Sequence, residues 1–358
     1  MSYEVYRPKR QPVRRLRRLL TGLLLAAVVT AIALFFICQK YLVFTADGVR
    51  IDPNAAAAAA SAKPTKAPEP SPLVVDVEVE VGKTDYSLIV TDAGENLAPI
   101  HGQYLTSDQI TPDGLRTAAA AVKAAGGDTL VLQMKTAAGK LSWKSEVVLA
   151  DEIGANGGQE LAESISQLRD DGVHFAAALS CCADTALAQA RNDLALKSGG
   201  VAYSDNSGGW VDAQQGEVQQ YLLSLCKELA GMGFEEIFCS YLQTPATSAD
   251  LQLAEDTTRS EAVMGLAAYL RRGLGSTGVK LSVICSLESV AYDRANLTGQ
   301  DLALLPRVLD RLCVFTDANT LTLLQGKMTD AYPELDTETR VVPFIPARRD
   351  AGSWILAT

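Results

Sequence analysis

From residue 100 to the end of the chain, short apolar runs bounded by turn residues alternate with longer segments in which apolar positions recur every three or four residues. The first pattern is that of a buried strand and the second that of an amphipathic helix. The runs 100–106, 129–134, 173–180, 236–241, 280–285, 311–316, 340–345 and 353–358 predict eight strands. The segments 113–125, 159–170, 217–232, 259–273 and 302–310 predict helices, with Gly126, Gly172, Gly233 and Gly275 placed for left-handed turns after helix ends. Helices alternating with buried strands imply parallel pairing, and eight such strands within residues 74–358 match the count and length of a closed TIM-type (β/α)8 barrel. The run 353–358 supplies its last strand, and residues 74–91 are expected to cover the side that no closing helix covers.

A different pattern precedes this region. Residues 19–38 form an uncharged, mostly apolar stretch long enough to span a bilayer, with Arg7, Lys9, Arg10, Arg14, Arg15, Arg17 and Arg18 before it and Gln39-Lys40-Tyr41 directly after it. The absence of a small-residue cleavage site predicts an uncleaved transmembrane helix. The basic tail, 1–18, then lies in the cytoplasm, and all that follows Lys40 lies outside the cell as a single-pass cell-membrane protein. Residues 39–73 read as a juxtamembrane segment, with a short strand pair over 41–53, followed by an Ala/Pro-rich stalk that cannot bury a core.

Separating the tail changes the charge picture. Seven of the 32 basic residues and one of the 42 acidic residues precede residue 39, so the remainder carries −16. That charge gives no attraction for nucleic acid and favours a neutral polymer or a protein partner. The cysteines after the apolar stretch (Cys181, Cys182, Cys226, Cys239, Cys285 and Cys313) lack zinc-ligand spacing, and there are only two histidines, so no metal or cofactor is expected. Most of these cysteines sit in or beside strand runs, where they act as small hydrophobes.

In a β/α barrel, functional residues project from the C-terminal strand ends and the loops after them. Here those positions offer Tyr104 and Asp108 after the first run, Gln133, Lys135 and Thr136 after the second, and Ser180, Cys181 and Cys182 after the third, where Asp184 is placed to cap a helix. The loop before the next helix contains Asp205, Trp210 and Asp212. An indole between two carboxylates suits sugar recognition. The alternative is that Trp210 plugs the barrel top while Asp212 caps the following helix. The fourth run ends in Ser240, Tyr241 and Gln243. Candidate substrate-binding residues are therefore Tyr104, Lys135, Trp210, Tyr241 and Gln243, and the candidate catalytic acids are Asp205 and Asp212.

The stretches Ala190-Arg-Asn-Asp-Leu-Ala-Leu-Lys197, Trp210-Val-Asp212, Gly233-Phe-Glu-Glu-Ile237 with Tyr241 and Pro245, Gly299-Gln-Asp-Leu302 and Trp354-Ile-Leu356 carry a family likeness. From Gly102 onward the chain resembles a bacterial family of glycoside-hydrolase-like barrels, related in fold to the alpha-amylase clan and first catalogued as a domain of unknown function. The resemblance implies a carbohydrate or cell-wall context. It also exposes departures: Ser240 stands where the family carries aspartate, Gln243 where it carries arginine, Gln133 and Thr136 where it carries aspartates, Ala178 where it carries arginine and Ile284 where it carries aspartate, while Lys135 is kept. Glycoside hydrolysis by the usual route needs two carboxyl groups across the scissile bond.

The expectation is a membrane-anchored, extracytoplasmic glycoside-hydrolase-like barrel that binds carbohydrate or cell-wall polysaccharide with lost or weak hydrolysis, a pseudoenzyme. The alternative is an active glycoside hydrolase using relocated carboxylates such as Asp205 and Asp212, drawn from the remaining acids Asp108, Asp205, Asp212, Glu288 and Asp317. A protein-interaction module is the third reading.

Overall fold

A computed structural model describes residues 42–45, 48–51 and 91–358 apart from 159 and 358. The chain divides into two units, Met1–Gly82 and Lys83–Thr358. In the first, Leu42–Thr45 pairs antiparallel with Gly48–Ile51, the strand pair expected over 41–53. The transmembrane helix over 19–38 and the stalk lie outside the described residues. Among the described residues no helix is long and apolar enough to cross a membrane.

The second unit is a closed barrel of eight parallel strands: β1 His101–Leu105, β2 Thr129–Lys135, β3 His174–Ser180, β4 Glu236–Ser240, β5 Lys280–Ile284, β6 Leu312–Phe315, β7 Val341–Ile345 and β8 Trp354–Leu356. Each strand pairs with the next in sequence, and β8 pairs with β1 to close the ring. All eight expected runs contain a strand. Helices α1 Pro112–Ala124, α2 Ala162–Asp170, α3 Gly216–Gly231, α4 Arg259–Leu274 and α5 Ala318–Ala331 follow β1, β2, β3, β4 and β6.

Because strand side chains alternate, the barrel has two separate cores. One lies between sheet and helices and holds Leu132, Phe175, Leu179, Ile237, Val283 and Val341 with the inner faces of the helices. The other fills the lumen, with Val131, Ala178, Phe238, Ile284, Cys313, Phe344 and Ile355. The lumen is therefore packed rather than open along its length.

Two helix expectations are corrected. Residues 302–310 form only the 3-10 turn Leu305–Arg307, because Pro306 lacks the N–H that a longer helix needs. The helix over Ala318–Ala331 was not expected, since Asn319, Thr320 and Thr322 are weak helix formers. It forms because the Asp317 carboxylate accepts the Thr320 N–H and Leu321, Leu324 and Met328 line one buried face. Gly126, Gly172 and Gly233 adopt positive φ as expected, whereas Gly275 stays right-handed and Gly278 makes the left-handed turn.

At the N-terminal end of the lumen, Glu236 accepts two bonds of 3.2 Å from the Arg311 Nε–H and another from the Ser282 hydroxyl. Arg311 also donates to the Thr339 carbonyl at 2.6 Å. Burial raises the Glu236 carboxyl above its ordinary range more than Arg311 and Ser282 pull it down. Nearby, the buried Asp310 carboxylate accepts the backbone N–H groups of Gly94 and Leu281 and pairs with Arg271. These contacts tie β4, β5, β6 and the entering segment together.

Candidate functional site

Two residues above the packed lumen layer, the same alternation directs Tyr104, Gln133, Ser240 and Phe315 toward the C-terminal mouth. Tyr104 meets Phe315 and Phe344 edge-on, with centroids 5.4 and 5.6 Å away, and Phe315 lies 4.5 Å from Phe344. Phe315 is 41% exposed, so this aromatic cluster reaches the surface. The Gln133 side-chain carbonyl accepts the Ser107 N–H at 3.1 Å. Gln133 and Ala178 are direct register neighbours, as are Ser180 and Ser240, so four of the residues at this end of the lumen share one sector of the wall. None of the eight strands ends in a carboxylate directed into the lumen at this end. Burial and the neighbouring Tyr241 push the Tyr104 phenol up to about 12, so it keeps its proton.

Lys135 does not reach this space. Between Gln133 and Lys135 the pairing with β3 shifts register, so Lys135 lies opposite Leu179, a residue of the helix-facing core. A bulge of this kind re-aims the side chain that follows it. The Lys135 ammonium is buried, donates to the Ser180 carbonyl at 2.7 Å and pairs with Asp184 Oδ2 at 2.8 Å. Asp184 in turn accepts the Leu187 N–H through Oδ1, the helix cap expected from sequence. Gly139, at φ +82°, makes room for that carboxylate, since a Cβ there would run into Asp184 Oδ1. The substrate-binding role assigned to Lys135 is thus replaced by a structural ion pair.

Tyr241 follows directly on β4 with φ +49°, a left-handed conformation that costs a non-glycine residue about 1 kcal/mol or more. Its carbonyl accepts the Cys182 N–H at 3.0 Å, one step beyond the bond from the Cys181 N–H to the Ser240 carbonyl. Trp210 packs edge-on against the Tyr241 ring, centroids 5.8 Å apart. Trp210 is 1% exposed, and its Nε1–H has no partner among the described residues. Its faces are therefore closed to a sugar, and the ring packs in the core between sheet and helices rather than in the lumen. Gln243 is nearly buried, two residues beyond Tyr241.

The two candidate acids are not brought together by a shared contact. Asp205 is exposed on the small hairpin Ser204–Asp205/Gly208–Gly209 and accepts the Ser207 N–H at 2.8 Å. Asp212 is nearly buried and accepts the Gln214 N–H through Oδ1 and the Gln215 side-chain amide through Oδ2. It shapes the turn before α3, whose N-cap is Gln215 rather than Asp212. Of the other acids, Asp108 is held by the Thr106 hydroxyl and Asp317 caps α5. Glu288 lies on the short helix Leu287–Val290 after β5.

The six cysteines among the described residues are buried free thiols. Burial raises Cys182, Cys226 and Cys313 well above the ordinary thiol range and Cys285 to about 12, and the hydrogen bond with Cys181, followed by burial, raises Cys239 likewise. No group of three or more His, Cys, Asp or Glu among the described residues could hold a metal ion. Sequence reading missed the Phe315–Phe344 cluster. Counting by twos from the lumen residues Cys313 and Val342 would have found both rings.

A closed parallel barrel with its polar and aromatic side chains gathered at the C-terminal strand ends is the frame of a TIM-barrel protein. The chain belongs to the family described as "Putative glycosyl hydrolase domain", whose model matches residues 102–316. No curated protein matches it. Among solved structures it is similar to a hypothetical protein from Ruminiclostridium thermocellum (24% identity, TM-score 0.47, covering 51% of this chain and 96% of that one). It is also similar to a beta-hexosaminidase of Streptomyces plicatus (10% identity, TM-score 0.44, covering 73% and 53%). A third is the galactosidase domain of an alpha-galactosidase-sucrose kinase (15% identity, TM-score 0.49, covering 73% and 38%). The chain thus spans about half of that hexosaminidase and less of the galactosidase protein.

Proposed function

We propose that this chain is an extracytoplasmic barrel, held to the cell membrane by the apolar segment 19–38, that binds glycan or cell-wall polysaccharide at its mouth and does not hydrolyse it. The observation that carries this reading is the composition of the strand ends. Tyr104, Gln133, Ser240 and Phe315 provide hydroxyls, an amide and aromatic surface, and none of these positions is a carboxylate, while Asp108 and Asp317 just beyond them are engaged by Thr106 and in capping α5. Hydroxyl and amide groups bind sugar hydroxyls, and aromatic rings cover sugar C–H faces. Protonating a leaving oxygen and attacking the anomeric carbon need two carboxyl groups about 5 to 10 Å apart. A serine without an adjacent base replaces neither.

The test is to assay the purified chain on cell-wall, plant and bacterial polysaccharides beside Ser240→Asp and Asp212→Ala. We expect binding without sugar release, and no release from Ser240→Asp, because Gln133, Thr136, Ala178 and Ile284 still leave the aspartate without partners and residues acting as a unit do not recover singly. Release by the wild type that disappears in Asp212→Ala would establish hydrolysis through the Asp205–Asp212 loop instead.

A further inference from the structure

We propose that the mouth selects uncharged sugars and rejects acidic ones, with the hydroxyls of Tyr104 and Tyr241 as its recognition pair. This inference rests on the glycan-binding reading above and specifies what kind of glycan the same site takes.

The first argument is the fate of the cations. An acidic sugar brings a carboxylate that must lose water on entering, and that loss is compensated only by a fixed positive partner. Lys135, which the family resemblance keeps, is turned by the bulge into the helix-facing layer and neutralised by Asp184. The arginines implied by the resemblance are replaced by Ala178 and Gln243. Arg259, behind the loop after β4, donates to the carbonyls of Pro245, Leu297 and Ala249. Arg191 is held by Asp193 and Glu217.

The second argument is the character of what remains. Tyr104 and Phe315, backed by the buried Phe344, form an aromatic wall that offers low-dielectric surface and no countercharge. The raised Tyr104 phenol reports the same property from within, since the position already disfavours a negative charge. Against that wall stand neutral polar groups. The hydroxyls of Tyr104, Tyr241 and Ser240 and the side-chain amide of Gln243 have no hydrogen-bond partner among the described residues. A site whose buried polar groups are built to meet hydroxyls discriminates strongly against ligands that cannot pair with them.

The third argument is preorganisation. Tyr241 is kept in its left-handed conformation by the Cys182 N–H bond to its carbonyl and by the edge of the buried Trp210. A ring fixed before the ligand arrives loses little freedom on binding. Trp210 therefore acts as a positioning residue for Tyr241 rather than as the sugar platform.

The experiment is calorimetric titration of the full chain in detergent with neutral hexasaccharides of glucose, galactose and N-acetylglucosamine, and with hexagalacturonate and hexaglucuronate. At least one neutral probe is expected to bind, with every uronate tenfold or more weaker. Tyr104→Phe and Tyr241→Phe, which keep the rings and the fold, are each expected to weaken neutral binding three- to tenfold. Gln243→Arg, which returns a cation to the mouth, is expected to narrow the neutral-to-uronate ratio. Uronates binding as tightly as their neutral counterparts, or both tyrosine variants binding unchanged, would overturn the selectivity while leaving glycan binding intact. Binding of no probe at all would overturn the glycan reading itself and this inference with it.

Discussion

The two ends of the barrel lumen are built from the same eight strands and treat polarity in opposite ways. At the N-terminal end the charges are kept and paired: Glu236 with Arg311 and Ser282, and Asp310 with Arg271 and two backbone N–H groups. At the C-terminal end the lumen-facing strand residues Tyr104, Gln133, Ser240 and Phe315 are neutral, and the hydroxyls of Tyr104 and Ser240 have no hydrogen-bond partner among the described residues. Paired buried charges hold strands in place, whereas unpaired neutral groups at a surface have spare hydrogen-bonding capacity for a ligand. This is the division of labour expected of β/α barrels, with stability at the N-terminal face and function at the C-terminal face. What is particular here is that the lumen-facing strand ends Tyr104, Gln133, Ser240 and Phe315 are neutral, while the N-terminal face holds ion pairs.

The comparison can be broken most directly at the lower end. Arg311→Ala removes the partner of a buried carboxylate and is expected to cost about 3 to 5 kcal/mol in urea unfolding. Adding Glu236→Gln should recover part of that loss, because the uncompensated charge is gone. If Arg311→Ala costs less than about 1 kcal/mol, the lower end is not the strut described here. Next in size, Trp210→Ala empties a closed site beside Tyr241 and is expected to cost about 3 kcal/mol of stability. A folded mutant of unchanged stability would show that the ring is not packed in the core.

The smallest effect concerns pH. Tyr104 has its folded pKa raised to about 12 from an ordinary value near 10, so its contribution is complete below pH 10 and is lost as pH rises toward 12. The wild type should therefore lose up to about 2 kcal/mol more than Tyr104→Phe between pH 9 and 12, read as the difference in urea midpoints. Equal losses in the two proteins would place Tyr104 in water rather than in the aromatic cluster.

Most of the barrel was legible along the chain. The eight apolar runs each became a strand, because burial on both faces of a parallel sheet demands uninterrupted apolar residues that no other element uses at that length. The helix over Ala318–Ala331 was not legible, because its cap and three buried contacts outweigh the weak propensities of its polar residues. The site was legible in part. Ser240 and Gln133 could be placed at strand ends from sequence alone, and their neutral character followed from their identities.

The roles of Lys135 and Trp210 could not be read in this way. A single irregularity in the β2–β3 pairing sends Lys135 to the other side of the sheet, and nothing in Gln133-Met134-Lys135 announces it. Trp210 lies in a loop that folds back so that its backbone bridges to Ala183, and only that return path closes the indole in. Sequence by itself determined the strand count, the parallel barrel and the neutral residue types at the lumen-facing strand ends, since these depend on residue type and on a period of two. Tertiary structure alone decided which side chains face the mouth and which are held in ion pairs or in the core. A one-residue change of register inverts the side a strand residue occupies, and its energy comes from contacts far apart in the chain.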